Sequence, residues 1–455
     1  MERIASGVGL LAMMGLAWLL GNRQRHVPLR IVVGGLLLQL LFAVLVLKTQ
    51  PGLLLFQWLK DGFVALVSCA AVGAEFVFGP DFMQQIPVVR SFAFNALPTI
   101  IFFSSLMSVL YYFGVMQWIV RGCAWVMQRT LRTSGSETLA AAANIFVGQT
   151  EAPLVIRPYL ADMTRSELMA VMVGGFATVA GGVMAAYVGM GIDAGHLLTA
   201  SVISAPAALL IAKLMLPETQ QPQTLGRMTA MPRSEAVNAI HAAAIGAADG
   251  LKLALNVAGM LIAFLGLVAL LNLLIGLVGS CFGQPHWSLQ LLLGYLFAPL
   301  AWLLGVPPAD CRDVGQLLGI KMVANEFLAY QQLHDWMARE AIPLCADMAA
   351  LAGRSAGPVP LPAAALPELL WHTTIEPQWH AWCNESLARL SPRSVVLATY
   401  ALCGFANFGS IGIQIGGIGP LAPQRRSDLA QLGFRAMLGG TLAACMTACV
   451  AGILL

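Results

Sequence analysis

The sequence predicts an all-α polytopic membrane protein: eight transmembrane helices, two re-entrant hairpins and interfacial helices, arranged as inverted repeats. Three observations carry this prediction. AVILMFWYC make up 58% of the 455 residues, and charged residues only 10%, against about a quarter in a soluble domain. A soluble domain of this size could not cover its surface with so few charges. Apolar stretches of spanning length recur along the whole chain. Two Gly-rich apolar segments, each preceded by an interrupted segment bearing a carboxylate, resemble one another.

The same composition excludes other classes. A formal net charge of +3 leaves no basic face for phosphates, so no nucleic acid is expected as a partner. The nine Cys form no CxxC or Cys/His ligand spacing and mostly sit in apolar runs, as small packing residues do. The surroundings are membrane lipid.

Taken in order, the first element is an apolar run from Ile4 to Leu20 after Arg3, with no A-x-A cleavage site and a basic stretch (Arg23, Arg25, Arg30) directly behind it. That pattern predicts a membrane helix rather than a cleaved leader. Further spans are expected at 31–48, 97–120, 167–190, 197–216, 253–279, 393–418 and 429–455. The stretches 52–79, 139–160, 288–305 and 314–333 carry Gly, Pro or a carboxylate in mid-run and are predicted to be interfacial or re-entrant.

Lys and Arg orient the scheme. Arg23, Arg25 and Arg30 place the first loop inside. Arg121, Arg129 and Arg132, then Arg157 and Arg165, then Lys213, Arg227, Arg233 and Lys252, then Arg425 and Arg426 follow on the same side. Segments 191–196 and 280–288 lack Lys and Arg altogether. Both termini are therefore expected on the outer, periplasmic side of a bacterial inner membrane.

The expected organisation is 1–138 as N-terminal helices, mainly scaffold; 139–216 as the first repeat; 217–305 as a connecting segment with a scaffold helix and an interfacial helix; 306–334 as a second hairpin; 335–392 as an extracytoplasmic insert; and 393–455 as the rest of the second repeat. The insert is Pro-rich at 357–367 and rich in Trp. It holds Cys345 and Cys383, which either pair in an oxidising compartment or remain as two thiols.

Within the repeats, GGFATVAGGV (174–183) matches CGFANFGSIG (403–412), and each follows a carboxylate-bearing segment, GQTEAPL (148–154) and ANEFLAY (324–330). The charge scheme brings the first carboxylate segment in from the inside and the second from the outside. Inverted repeats with broken helices meeting near the midplane are the architecture of secondary transporters. A carboxylate at the bilayer centre costs on the order of 2.5–3.5 kcal/mol, so Glu151 and Glu326 in such places point to a function.

The groups expected to converge are Gln149, Thr150 and Glu151 from one repeat and Glu326, Asn407 and Ser410 from the other. Lys321, more than a turn from Glu326, is the nearest cation, so a phosphorylated substrate would lack a counter-charge. A neutral molecule rich in hydroxyls and amides fits these groups. Phe176, Phe327, Phe405 and Phe408 are candidates for stacking on a ring.

FVGQTEAPLVIRPYL (146–160), NEFLAY (325–330) and ALCGFANFGSIGIQIGGIGPLAPQRRSDLAQLGFRAMLGGTLA (401–443) resemble the concentrative nucleoside transporters, as do ALPTIIFFSSLMSVLYYFGVMQ (96–117) and GYLFAPLAWLLGV (294–306). The resemblance covers the chain apart from the 335–392 insert, which is longer than is usual in that family. It implies a homotrimer working by an elevator-type motion, with no cofactor and with nucleosides such as uridine as substrate. By position, it implies that Gln149, Thr150 and Glu151 contact the nucleobase, with Val183 against its face. Glu326, Asn407 and Ser410 would hold the ribose, with Phe405 beside them. For sodium coupling it implies Asn144, the Val147 and Val179 carbonyls and the Thr178 hydroxyl as ligands. Proton coupling through Glu151 or Glu326 is the alternative.

Two other classes are weighed against this reading. A membrane-embedded enzyme could use paired carboxylates, but no His lies in the repeat cores and there is no nucleophile motif or HExxH spacing. A channel would not accumulate its solute against a gradient. Neither class is expected.

Overall fold

The computed structural model describes residues 2–21, 29–79, 92–225, 236–284, 286–339 and 390–455. These form an all-helical bundle. The helices are α1 (Glu2–Leu20), α2 (Leu29–Lys48), α3 (Gln50–Phe78), α4 (Phe92–Tyr112), α5 (Val115–Leu131), α6 (Gly135–Ala143), α7 (Ala152–Val155), α8 (Arg157–Leu160), α9 (Arg165–Ala177), α10 (Gly181–Gly189) and α11 (Ala194–Met215). They continue with α12 (Ala239–Cys281), α13 (Leu289–Leu303), α14 (Cys311–Val323), α15 (Glu326–Arg339), α16 (Pro392–Leu402), α17 (Phe408–Ile418) and α18 (Arg426–Leu454).

Six helical segments among the described residues are long and apolar enough to cross a membrane, or seven if the bent α4–α5 pair is one span. Two expectations need correction. Residues 52–79 are not interrupted: α3 is continuous, and its Lys60–Phe78 portion has spanning length and hydropathy. Gly52, Gly62 and Gly73 lower helix propensity by about 1 kcal/mol each, but the apolar residues around them keep the helix intact. Residues 97–120 are not one straight span, because α4 and α5 meet at 79° where Gly114 takes a φ of +78°. The expected span at 253–279 lies inside the 43-residue α12. At 1.5 Å per residue α12 is about 65 Å long, so it extends well beyond the hydrocarbon core.

Two layers separate by burial. Helices α9, α11 and α18 pack on one another; α9 and α11 are buried almost throughout, and α18 from about Ala436 onward. Among them Ala, Gly and Ser are frequent, as expected where helices associate by close approach rather than by a hydrophobic driving force. Around this core, α3 and α12 turn large apolar side chains outward, Phe76 and Ile262 among them. Helix α12 packs chiefly on α4, and α13 on α14.

Helices α6–α11 and α14–α18 form two similar units. Each has a helix leading to a tip, a returning helix, a broken helix and a long closing helix. The first broken helix is α9–α10, interrupted at Thr178–Ala180. The second is α16–α17, interrupted at Cys403–Asn407. The two units are based at opposite ends of α1. At its start the Ser6 hydroxyl donates to the Leu304 carbonyl at 2.8 Å, next to the base of the second unit. At its end Gly21 lies against the Met215 backbone, at the base of the first. Arg3 donates to the Leu455 carbonyl at 2.6 Å, so Arg3 and Leu455 lie on one side of the bundle.

Helix α15 continues past the expected 334 boundary to Arg339. Most of the 335–392 segment, with Cys345 and Cys383, lies outside the described residues, as do Arg23, Arg25, Arg227 and Arg233.

Candidate functional site

Each tip is built by local capping. In the first unit, Ser134 and Glu137 form a capping box that starts α6, and α6 ends at Asn144. Pro153 then stands in the first turn of α7, where its missing N–H costs nothing. The Gln149–Glu151 stretch between them has no regular helix, and the Glu151 carboxylate accepts from the Gly148 backbone N–H. In the second unit, α14 stops at Ala324, and Asn325 accepts from the Leu328 N–H at 2.9 Å to start α15. Glu326 is the first residue of that helix.

Helix α17 links the two tips. Asn407 is its N-cap and accepts from the Ser410 N–H at 2.9 Å, while its side-chain amide donates to Glu326 Oε2 at 3.0 Å. Two turns further on, Gln414 Nε2 is shared between Gln149 Oε1 and the Met172 carbonyl, both at 3.1 Å. One turn beyond that, Gly417 leaves room for Thr150: a Cβ there would fall 2.7 Å from the threonine methyl. The Asn407-to-Gln414 rise is about 10 Å. Gly404 makes the break before α17 possible. Its φ of +127° and the approach of the Phe176 and Ala177 backbone to within 3 Å of a would-be Cβ leave no place for a side chain.

The structure therefore gathers Glu326, Asn407 and Ser410 at one end of α17, and Gln149 and Thr150 at the other. Glu326, Asn407, Ser410 and Gln149 are buried. Glu151 is exposed and lines a cavity of about 580 Å³ between the first tip, α4 and α12, together with Tyr111, Arg157 and Asp249. That volume is in the range of small-molecule sites. Val183 is buried on α10, and Phe405 is half-buried in the α16–α17 break.

The other aromatics divide. Phe327 is buried with its ring 5.8 Å from that of Tyr187. Phe176 is wholly buried against Gly440 of α18, and Phe408 faces outward, stacked on Phe434.

The four residues expected to bind a cation lie around the Thr178–Ala180 break. Asn144 is buried, and neither of its side-chain polar atoms has a hydrogen-bond partner. It lies against Gly174, whose carbonyl accepts from the Thr178 hydroxyl at 2.9 Å. The Gly181 N–H donates to the Phe146 carbonyl at 3.0 Å, which ties the break holding Val179 to the loop holding Val147. An orphaned amide oxygen on one side of Gly174 and a hydroxyl and unwound backbone at the neighbouring break are oxygen donors of the kind a hard cation takes. Among the described residues, no cluster of three or more His, Cys, Asp or Glu offers a site for a softer metal.

Two participants were not foreseen from the sequence. The Tyr187 hydroxyl donates to Glu326 Oε1 at 2.9 Å, and Gln414 ties α17 to the first tip through Gln149. Helical spacing was the available signal for both: Tyr187 is one turn from Val183, and Gln414 one turn from Ser410. Lys321, the nearest cation in the sequence, is buried and donates to the Ala401 carbonyl at 2.9 Å.

Comparison with known proteins places this arrangement. Family profiles described as Na+ dependent nucleoside transporter N-terminus, nucleoside recognition, and Na+ dependent nucleoside transporter C-terminus match residues 8–81, 93–194 and 196–452. The chain is 42% identical over 454 residues to sodium/nucleoside cotransporter 1 of Rattus norvegicus, covering 100% of this chain and 64% of that protein. It is 41% identical over 447 residues to solute carrier family 28 member 3 of Eptatretus stoutii, covering 98% and 60%. The chain thus spans less than two-thirds of the length of these curated relatives. It is also similar to a solved structure of CNTnw in an inward-facing substrate-bound state, with a TM-score of 0.83 and 37% identity over 100% of this chain and 98% of that one. Outward-facing and intermediate-state structures of CNTnw variants match comparably. These relatives are transporters, not enzymes. The chain belongs to the sodium-dependent nucleoside transporter family, a family of multi-pass membrane proteins.

Proposed function

We propose that this protein is a secondary transporter that imports nucleosides, uridine among them, across a cytoplasmic membrane by symport with sodium. The observation that carries the reading is the pair of helix tips based at opposite ends of α1, with their polar groups set along α17 about 10 Å apart. That spacing suits a ligand with an amide-bearing base at one end and a hydroxylated sugar at the other. Gln149, Thr150 and Glu151 contact the base, with Val183 against its face. Glu326, Asn407 and Ser410 hold the ribose, with Phe405 beside it. No cationic side chain is hydrogen-bonded to these groups among the described residues, which favours a neutral substrate over a phosphorylated one.

Sodium is the coupling ion, held by Asn144, the Val147 and Val179 carbonyls and Thr178. The unpaired Asn144 side chain supports this assignment. The protein works as a homotrimer in which the two units, 139–216 and 306–455 without the insert, move as a transport body against a scaffold of α1–α5, α12 and α13. The apolar outer faces of α3 and α12 support a scaffold in contact with lipid and with neighbouring protomers. Both termini lie on the outer side.

The test is radiolabelled uridine uptake into proteoliposomes. An inward sodium gradient should drive accumulation, and an inward proton gradient alone should not. Accumulation driven by protons alone would discard the sodium ligands and turn attention to Glu151 and Glu326. Accumulation under neither gradient would overturn the nucleoside-symport reading.

A further inference from the structure

Glu326 is buried, with each carboxylate oxygen engaged by one side-chain donor. Tyr187 reaches Oε1 at 2.9 Å from the first unit, and Asn407 reaches Oε2 at 3.0 Å from the second. An ionised carboxylate has roughly four lone-pair sites and only accepts. The Glu326 backbone N–H also donates to the carboxylate, so one site remains for a ligand.

The Tyr187 hydroxyl is itself held in place. Its ring packs against that of Tyr330, tilted by 35° with centroids 4.5 Å apart, and lies near Phe327. Tyr330 in turn is anchored by its hydroxyl, which donates to the Thr399 carbonyl at 2.8 Å. All three rings are buried. Tyr187 is thus a rigid donor, not a mobile plug.

We infer that Tyr187 is a positioning residue for the sugar: together with Asn407 it fixes the plane of the Glu326 carboxylate, so that its remaining acceptor site faces a ribose hydroxyl. This inference rests on the proposed role of Glu326 in holding ribose. Tyr187 acts through Glu326, and its loss lets the carboxylate rotate while the residue itself touches no substrate. A buried carboxylate that has lost a donor must also find a replacement, and a substrate hydroxyl drawn into that role no longer reads the sugar. The residue would thereby set the preference for ribonucleosides over analogues lacking a hydroxyl.

The test is a cycle between a protein hydroxyl and a ligand hydroxyl. Equilibrium binding of uridine, 2′-deoxyuridine and 3′-deoxyuridine is measured on the purified full chain and on Tyr187→Phe, which keeps the ring and its packing. We expect Tyr187→Phe to weaken uridine at least fivefold more than it weakens one of the two deoxy analogues, so that selectivity for the ribonucleoside falls by that factor. Replacing Tyr187 with p-aminophenylalanine, a weaker donor of similar shape, should give an intermediate selectivity. That variant also serves if Tyr187→Phe does not fold. Equal losses for all three ligands would reduce Tyr187 to a packing residue and overturn the inference. So would unchanged binding of all three. An unaltered protein that binds none of the three would overturn the nucleoside reading and this inference with it, an outcome distinct from binding with unchanged selectivity.

Discussion

The two units share a plan but use charge differently at their bases and at their tips. At the base of the first, the buried Lys213 ammonium lies 2.7 Å from Glu137 and 3.5 Å from Glu218 and donates to Ser166 at 2.8 Å. Close by, Glu167 accepts from Ser134, Ser136 and the Thr164 N–H. At the base of the second, Asp310 accepts from the Ser391 N–H at 2.9 Å and the Ser394 hydroxyl at 2.5 Å. There Arg393 donates to the Gly305 and Gly452 carbonyls and pairs with the half-exposed Glu2. The first base is a buried ion cluster, whereas the second is mostly hydrogen bonds to neutral groups.

The tips reverse this order. Among the described residues, Glu151 is exposed to a cavity and braced by its own loop, while Glu326 is buried and braced by Tyr187 and Asn407. Burial therefore decides what each carboxylate can do. A buried charge must be matched by fixed donors, which makes Glu326 rigid. An exposed one can adapt, as a group reading varied nucleobases would need to.

The largest effect is expected at the first base. Lys213→Met should destabilise the protein by about 3–5 kcal/mol, because Glu137 is left buried without its partner. Arg393→Met should cost about 1 kcal/mol, because its ionic partner is solvated. Thermal unfolding in detergent, comparing the two variants, checks the contrast; equal losses would make the two bases equivalent.

Next come the tips. Glu326→Gln should weaken uridine binding about 100-fold or more, roughly 3 kcal/mol, since two buried donors lose their charged acceptor. Glu151→Gln should cost about tenfold, roughly 1.4 kcal/mol. Calorimetric titration with uridine decides, and a larger loss at Glu151 would invert the assignment.

A smaller and more specific change is expected from Asn144→Ala. The sodium concentration for half-maximal uptake should rise at least tenfold, while uridine affinity at saturating sodium changes little. Loss of uridine affinity at every sodium level would mean that Asn144 holds the tip rather than the ion.

The smallest effect concerns the pair between α3 and the N-cap of α11. Burial alone would push the Asp193 carboxyl up, but the Lys60 ammonium at 2.5 Å and the His196 N–H outweigh it and hold the group below its ordinary range. The resulting stability is present above the usual aspartate range and is lost as pH falls through the lowered value. Lys60→Ala should remove less than about 1 kcal/mol and flatten the acid limb of a Tm-versus-pH curve. An unchanged acid limb would make the pair energetically silent.

Much of the fold was legible in the sequence because a bilayer punishes exceptions. Charges confined to a tenth of the chain, spans of fixed length, and Gly or Pro beside an intramembrane carboxylate each have few physical explanations. Those rules marked the Gly-rich segments 174–183 and 403–412 within two expected spans and singled out Glu151 and Glu326, while the breaks at Thr178–Ala180 and Cys403–Asn407 came from the structure. They misread 52–79, where Gly within an apolar run was taken as an interruption. In lipid, apolar neighbours and the lack of any competing water hydrogen bonds keep such a helix whole.

The partners of those residues were another matter. Tyr187 and Glu326 are 139 positions apart, and Gln149 and Gln414 are 265 apart. On its own helix Tyr187 is one more apolar-face aromatic, and Gln414 one more polar residue in a Gly-rich run. Sequence by itself determined that this is a polytopic helical protein and pointed to two similar segments each preceded by a carboxylate, because composition, span length and local helix breaking are properties of short stretches. Only the tertiary structure decided that one carboxylate is exposed and the other is clamped between units. Burial and hydrogen-bond geometry arise when distant helices close on one another, and no short stretch contains that information.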